Sequence, residues 1–168
     1  MIQLRPAQEQ DADCYLSWFN NIGINKWLIS FYRTGKYNSL IHSMSLKEND
    51  TKMWTIIDNK SSVGIVALSH IDQLDKLAMI WYLIGDKSFE GKGIATKAVN
   101  LVLQKGFSDF KLHCIYAYAA SENIGSQKVL EKNGFNKAGV LRQCHFFDNV
   151  PQNRLIYDIL ESEIGTYS

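Results

Sequence analysis

The sequence predicts an α+β (mixed α/β) fold: one domain over residues 1–168, with a central, mostly antiparallel twisted sheet of about seven strands flanked by helices. Three observations carry this. Short apolar or alternating runs bounded by turn residues recur seven times along the chain. Two of them, 77–84 and 112–119, are joined by one amphipathic helix, a crossover that makes the strands parallel, whereas the short polar turns at 58–62 and 73–76 make their flanking strands antiparallel. A chain of 168 residues is long enough for one well-buried core and gives no reason to expect a second.

Residues 2–5 alternate like a short strand. Pro6 and the acidic Glu9, Asp11 and Asp13 lead into a helix over about 11–20, striped by Tyr15, Trp18 and Phe19. Residues 22–30 continue as a second helix, with Ile24, Trp27 and Leu28 at helical spacing; the loop 31–37 and a further helical stretch over 39–49 follow. Strands 54–57 and 63–70 form a hairpin, and 77–84 extends it. In the helix 94–107, Ile94, Ala95, Ala98, Val99, Leu101 and Val102 make one broad apolar side that faces the sheet. Strand 112–119, helix 126–133 and strands 139–147 and 154–160 complete the order.

The chain is organised around residues 88–96, Ser-Phe-Glu-Gly-Lys-Gly-Ile-Ala-Thr, which join strand to helix. Gly91 and Gly93 let the backbone bend sharply and approach a ligand closely. Ile94, Ala95 and Thr96 open a helix whose first N–H groups have no partner within it, at the positive end of its dipole. Main chain from Glu90 to Thr96 can therefore hold a diphosphate, with Lys92 assisting. A Walker A loop is ruled out because no Gly, four residues, Gly-Lys-Ser/Thr occurs; a Rossmann turn would need a third glycine where Thr96 stands. A purely structural turn stays open.

The remaining pattern, two glycines and Ala95 between a strand and an amphipathic helix, resembles motif A of the GNAT acetyltransferase superfamily. Downstream, Asn123-Ile-Gly-Ser126, a short helical run to Asn133, then Gly134-Phe135 resembles motif B of the branch that holds the ribosomal-protein N-terminal, spermidine and amino-sugar acetyltransferases. Leu4-Arg-Pro6 and Tyr82-Leu-Ile-Gly85 extend the similarity over nearly the whole chain. The resemblance implies that the parallel strands splay below the helix and that pantetheine slots between them. It also implies direct transfer of acetyl from acetyl-CoA to an amine without a metal. It assigns thioester and pantetheine contacts to main chain of Leu83 and Ile84, a pantetheine contact to Asn123, and the proton for the departing thiolate to Ser126, whose hydroxyl could instead cap the helix. The tyrosine that many members use for that proton corresponds to Leu130, and a glutamate used by some as a base corresponds to Met79. Glu90 adds a negative charge beside the phosphates.

Among titratable candidates for a base, His70, His113 and His145, the last is preferred because the C-terminal strands border the acceptor site in this family. The family builds acceptor pockets between the first two strands, which selects Phe31, Tyr32, Arg33 and Lys36. Three cations there, Lys26, Arg33 and Lys36, with few carboxylates favour a small anionic acceptor over a polyamine, and the run from Trp18 to Trp27 resembles the region of members that acetylate nucleotide-linked amino sugars, which implies such an acceptor. A peptide N-terminus is the alternative partner. A CoA-binding module without catalysis is the alternative of another class, encouraged by Leu130 and Met79.

Composition sets the outer bounds. Hydrophobic residues make up 46% and charged residues 21%, with net charge +1, so no electrostatic footprint for nucleic acid is expected. No window approaches 18 apolar residues and the first residues lack a cationic, then apolar, leader, so neither membrane nor export is expected, and the cytoplasm is the default. Cys14, Cys114 and Cys144 lack metal or disulfide spacing. Monomer or homodimer both fit.

Overall fold

The computed structural model describes residues 1–28 and 50–165. Seven strands form one sheet in the order β1-β2-β3-β4-β5-β7-β6, with β1 Gln3–Pro6, β2 Lys52–Asp58, β3 Ser61–Asp72, β4 Leu77–Ile84, β5 Cys114–Ala120, β6 Asn136–Phe147 and β7 Val150–Leu160. All neighbours are antiparallel except β4 and β5, which the crossover helix makes parallel as expected. Helices α1 Ala12–Phe19 and α2 Ile22–Asn25 lie before β2; α3 Ile94–Ser108 and α4 Ile124–Lys132 flank β5.

The apolar sides of these helices assign them to two layers. Ala98, Val99, Val102 and Leu103 of α3 pack with Val66, Leu68, Ala78, Ile80 and Ile115 on one face of the sheet. Tyr15, Trp18 and Phe19 of α1 and Ile24 of α2 pack with Ile65 and Leu83 on the other. Covered on both faces, β3 is buried continuously from Val63 to Ser69. No helix among the described residues is long and apolar enough to cross a membrane.

Several boundaries move. β2 begins two residues before the expected strand; β7 runs longer because its first residues pair with β6 past the end of β5, and β6 begins earlier, with Asn136 opposite Asp158. β5 starts two residues later than 112: Leu112 is fully buried, and its amide closes the end of α3 on the Gly106 carbonyl (3.1 Å). α2 is only four residues long, with 26–28 in turns. The loop 31–37 and the helical stretch 39–49 lie outside the described residues.

Gly85, just past β4, is where the face holding α1 meets the route to the glycine loop. A Cβ there would overlap the indole of Trp18, which is buried. Gly85→Ala should therefore lower stability by about 1–3 kcal/mol through overpacking. Thermal denaturation checks this, and the loss should shrink in a Trp18→Leu background, where the obstructing ring is gone.

Candidate active site

β4 and β5 pair only at their beginnings, Leu77 with Cys114, Ala78 with Ile115 and Met79 with Tyr116. Beyond Met79 they part, while β5 stays paired to β7 along its whole length. The expected splay is thus present, and hydrogen-bond parity shows which groups line it. The Gly85 amide donates to the Val63 carbonyl (2.9 Å) and the Cys114 amide to the Lys76 carbonyl (3.1 Å). Because antiparallel partners alternate between bonded and unbonded pairs, the peptide groups of Leu83 turn toward β3 and those of Tyr82 and Ile84 turn into the gap. Tyr82 and Ile84 thus offer their main-chain groups to the gap, whereas those of Leu83, like those of the other odd-numbered residues of β4, are committed to β3. On the other side, the Ser121 amide donates to the Asn153 carbonyl (2.9 Å), so by the same parity Tyr118 faces the gap.

The gap opens into a cleft of about 560 Å³. One wall is the glycine loop and the first turn of α3, Glu90 to Thr96; another is α4; Gly23, Ile24, Trp27 and Leu28 close it from the α2 side. Gly93 is the N-cap of α3 in the left-handed region (φ 73°), with no side chain capping the helix. A Cβ at Gly91 or Gly93 would meet nothing within 4 Å, so the backbone there is bare toward the cleft. Uncapped N–H groups of a 15-residue helix beside bare backbone suit a diphosphate. Lys92, exposed, reaches over the Phe89 ring (5.4 Å) and lies to the side of this cradle.

Asn123 and Ser126 divide the roles that sequence left ambiguous. Asn123 is the N-cap of α4: its Oδ1 accepts from the Ser126 amide (3.1 Å). The helix therefore starts two residues before Ser126, which frees the Ser126 hydroxyl from capping. That hydroxyl lies 2.9 Å from the Tyr82 hydroxyl, which also donates toward the Ser126 carbonyl (3.2 Å). Burial pushes the Tyr82 phenol well above its ordinary range, against the opposing Ser126 hydrogen bond, so it keeps its proton. Sequence reasoning missed Tyr82; the usable signal was its place two residues before the end of a strand that delivers the chain to the glycine loop.

His145 is elsewhere. It is buried, with Nε2 3.1 Å from the Lys26 carbonyl and Nδ1 3.2 Å from the Arg154 guanidinium. A guanidinium only donates, so Nδ1 accepts and Nε2–H donates to Lys26: the ring is held as the neutral Nε2–H tautomer. Both nitrogens are engaged on the α2 side of the sheet, across from Ser126, so the structure does not bring the two catalytic candidates together. Arg154 lies over the Tyr118 ring (5.7 Å), and Lys26 over Trp27 (4.5 Å) and Phe147 (5.8 Å). Phe31, Tyr32, Arg33 and Lys36, the expected acceptor contacts, lie outside the described residues.

Comparison with known proteins places this geometry. The family model described as "Acetyltransferase (GNAT) domain" matches residues 2–136. The protein named "Probable N-acetyltransferase YjcK" from Bacillus subtilis is 41% identical over 60% of this chain and 56% of its own length, so the match spans little more than half of that relative. The spermidine N(1)-acetyltransferase of Escherichia coli is 23% identical over 92% of this chain and 83% of that one. Among solved structures, the spermidine N-acetyltransferase of Vibrio cholerae in complex with CoA and spermine superposes with a TM-score of 0.81 at 27% identity, covering 96% of each chain.

Proposed function

The chain belongs to the GNAT family of N-acetyltransferases, and on that premise we propose that it moves acetyl from acetyl-CoA to a primary amine on a small anionic molecule, with the Ser126 hydroxyl returning the proton to the departing thiolate. The observation that carries the proposal is the splay of β4 from β5 opening directly onto the uncapped start of α3. One end of such a cleft takes a diphosphate, and its walls offer peptide groups to an extended, amide-bearing arm.

Acetyl-CoA, when bound, supplies the acetyl group as a thioester. The chain's contribution begins with main chain at Gly91 to Thr96, which binds phosphate. Tyr82 and Ile84 present peptide groups to the gap, where a preorganised N–H donor beside a developing oxyanion is worth about 3 kcal/mol. As the amine nitrogen bonds to the acetyl carbon and the carbon–sulfur bond breaks, the Ser126 hydroxyl gives its proton to sulfur, and the proton that leaves nitrogen passes to the Ser126 oxygen, directly or through a water, so that the hydroxyl is restored. Tyr82, held protonated by burial, has one proton and two acceptors in reach, the Ser126 carbonyl and the Ser126 hydroxyl; the arrangement that gives it to the hydroxyl is the one that leaves the serine proton to point into the cleft. Ser126 is then the acid and Tyr82 a positioning residue.

The acceptor reading rests on Lys26 and Arg154, two cations presented over aromatic rings on the α2 side. Arg33 and Lys36 join them as expectations from sequence. Polyamine acetylation is the second reading, favoured by relatives and a solved structure named as spermidine acetyltransferases. His145, with both nitrogens occupied, serves better as the support of Arg154 than as a base.

Two measurements test the proposal. Ser126→Ala should lower kcat about 10²–10³-fold with little change in acetyl-CoA affinity, and Tyr82→Phe about tenfold. Normal turnover in Ser126→Ala would remove the serine from the reaction. A thioester-consumption screen of amino-sugar nucleotides, polyamines and short peptides should show the anionic amines ahead, with KM for the best of them raised in Arg154→Met. Polyamines ahead would establish the second reading, and no turnover with any amine would leave a binding module.

A further inference from the structure

We infer that His145 is a positioning residue for the acceptor: its imidazole ties the Arg154 guanidinium to the end of α2 and so fixes, with one ring, both the anion contact and the cleft wall beyond it. This rests on the reading that Arg154 meets an anionic acceptor. β6 is the outer strand of the sheet, and it is exposed or half-buried along its length except at His145. A bulge makes the exception. The register with β7 shifts between Leu141 and His145, Gln143 takes a φ of 52°, and its amide donates to the Asn153 side chain (3.0 Å). A bulge re-aims the side chains beside it, and this one turns an imidazole inward from an edge strand.

Leu155 and Tyr157 of β7 pack in the core on the α3 side, so Arg154 projects to the α2 side. There its guanidinium lies over the Tyr118 ring and donates from one nitrogen to His145 Nδ1 (3.2 Å). Arginine carries five N–H donors in a planar fork. Fixing one of its nitrogens leaves the other donors aimed in a defined direction, which bidentate recognition of a phosphate or carboxylate requires. The Nε2–H of the same ring donates to the carbonyl of Lys26 (3.1 Å), the C-cap of α2. Trp27 and Leu28, which follow directly, wall the cleft. A ring held by a partner on each nitrogen cannot turn, so the two sides of the acceptor end keep one spacing.

Acetylation of glucosamine 6-phosphate against glucosamine, with acetyl-CoA as donor, tests this. The unmodified protein should favour the phosphorylated amine about tenfold in kcat/KM, through KM. In His145→Leu the preference should fall to about twofold while KM for acetyl-CoA holds, and in His145→Gln, whose amide carries both a donor and an acceptor, it should recover to about fivefold. Leucine at 145 combined with Arg154→Met should lose no more preference than Arg154→Met alone, since the imidazole acts through the guanidinium. If His145→Leu does not fold, His145→Asn, polar but too short to span both partners, must lose the preference in its place. Full preference in the leucine or asparagine variant would overturn the positioning role, as would a glutamine variant that loses as much as they do. Equal use of the two amines by the unmodified protein, use of neither, or a preference untouched by Arg154→Met would overturn the reading of Arg154 itself.

Discussion

Gly93→Glu is expected to weaken acetyl-CoA binding about 10²–10³-fold and to erase the thermal shift that the ligand gives by mass action. A carboxylate within about 4 Å of a phosphate at the rim of a protein costs on the order of 4 kcal/mol. The new side chain meets nothing in the free protein, because a Cβ at this position projects into open space. What the free protein does feel is the backbone: Gly93 sits at φ 73°, and a residue with a Cβ there costs about 1–2 kcal/mol. Gly93→Ala separates the two effects, since it carries the same backbone strain without the charge. It should lose stability like the glutamate variant and keep most of its affinity. Unchanged affinity in Gly93→Glu would take the loop out of the site.

The largest effect on stability is expected at Asp11, far from the cleft. Its Oδ1 accepts from Arg5 (2.6 Å), and its Oδ2 accepts from the Gln8 amide (2.9 Å) and the Thr55 hydroxyl (3.0 Å), itself 2.6 Å from the Tyr15 hydroxyl. Asp11→Ala leaves the buried Thr55 hydroxyl, the Gln8 amide and the Arg5 guanidinium short of an acceptor, a change that costs about 3–5 kcal/mol when one partner of a buried pair is removed. Burial by itself pushes the Asp11 carboxyl up, but the Arg5, Gln8 and Thr55 hydrogen bonds outweigh it and hold the carboxyl below its ordinary value. The ionised form is thus favoured in the folded state. Its contribution is complete above the unfolded carboxylate range, near pH 4, and is lost as pH falls through the lower folded value. Denaturant titrations of the parent and of Asp11→Asn should differ by a constant amount between about pH 5 and 8 and converge below about pH 4. A difference that persists undiminished into acid would show that the carboxylate's charge is not what matters.

Order, type and direction of the elements were legible in the sequence because they follow from local rules. The 3.6-residue apolar spacing of 94–107 requires a helix with one buried side, and a single helix between two strands of one sheet requires them to be parallel. The glycine loop was legible for the same reason: two residues without a Cβ, a strand before and a helix after are enough to point N–H groups at an anion. Family membership followed from that loop together with Asn123 to Phe135, and it covers residues 2–136.

Groups that meet only through folding were not legible. Tyr82 and Ser126 are 44 positions apart, and nothing in either neighbourhood announces the other. Leu83 and Tyr82 are adjacent in the chain, and only the pairing of Gly85 with Val63 decides which of them turns its peptide into the gap. A shift of one residue would exchange them, because strand parity is set by the partner and not by the strand itself. His145 reads as a titratable base on sequence alone; an arginine on β7 and a carbonyl at the end of α2 occupy both its nitrogens. The sequence by itself determined the sheet order's raw material, the phosphate loop and the class of reaction, since each depends on residues close together in the chain. Register across strands decided which hydroxyls, peptides and ring nitrogens face the cleft, since hydrogen bonds between distant segments orient them only once the sheet has closed.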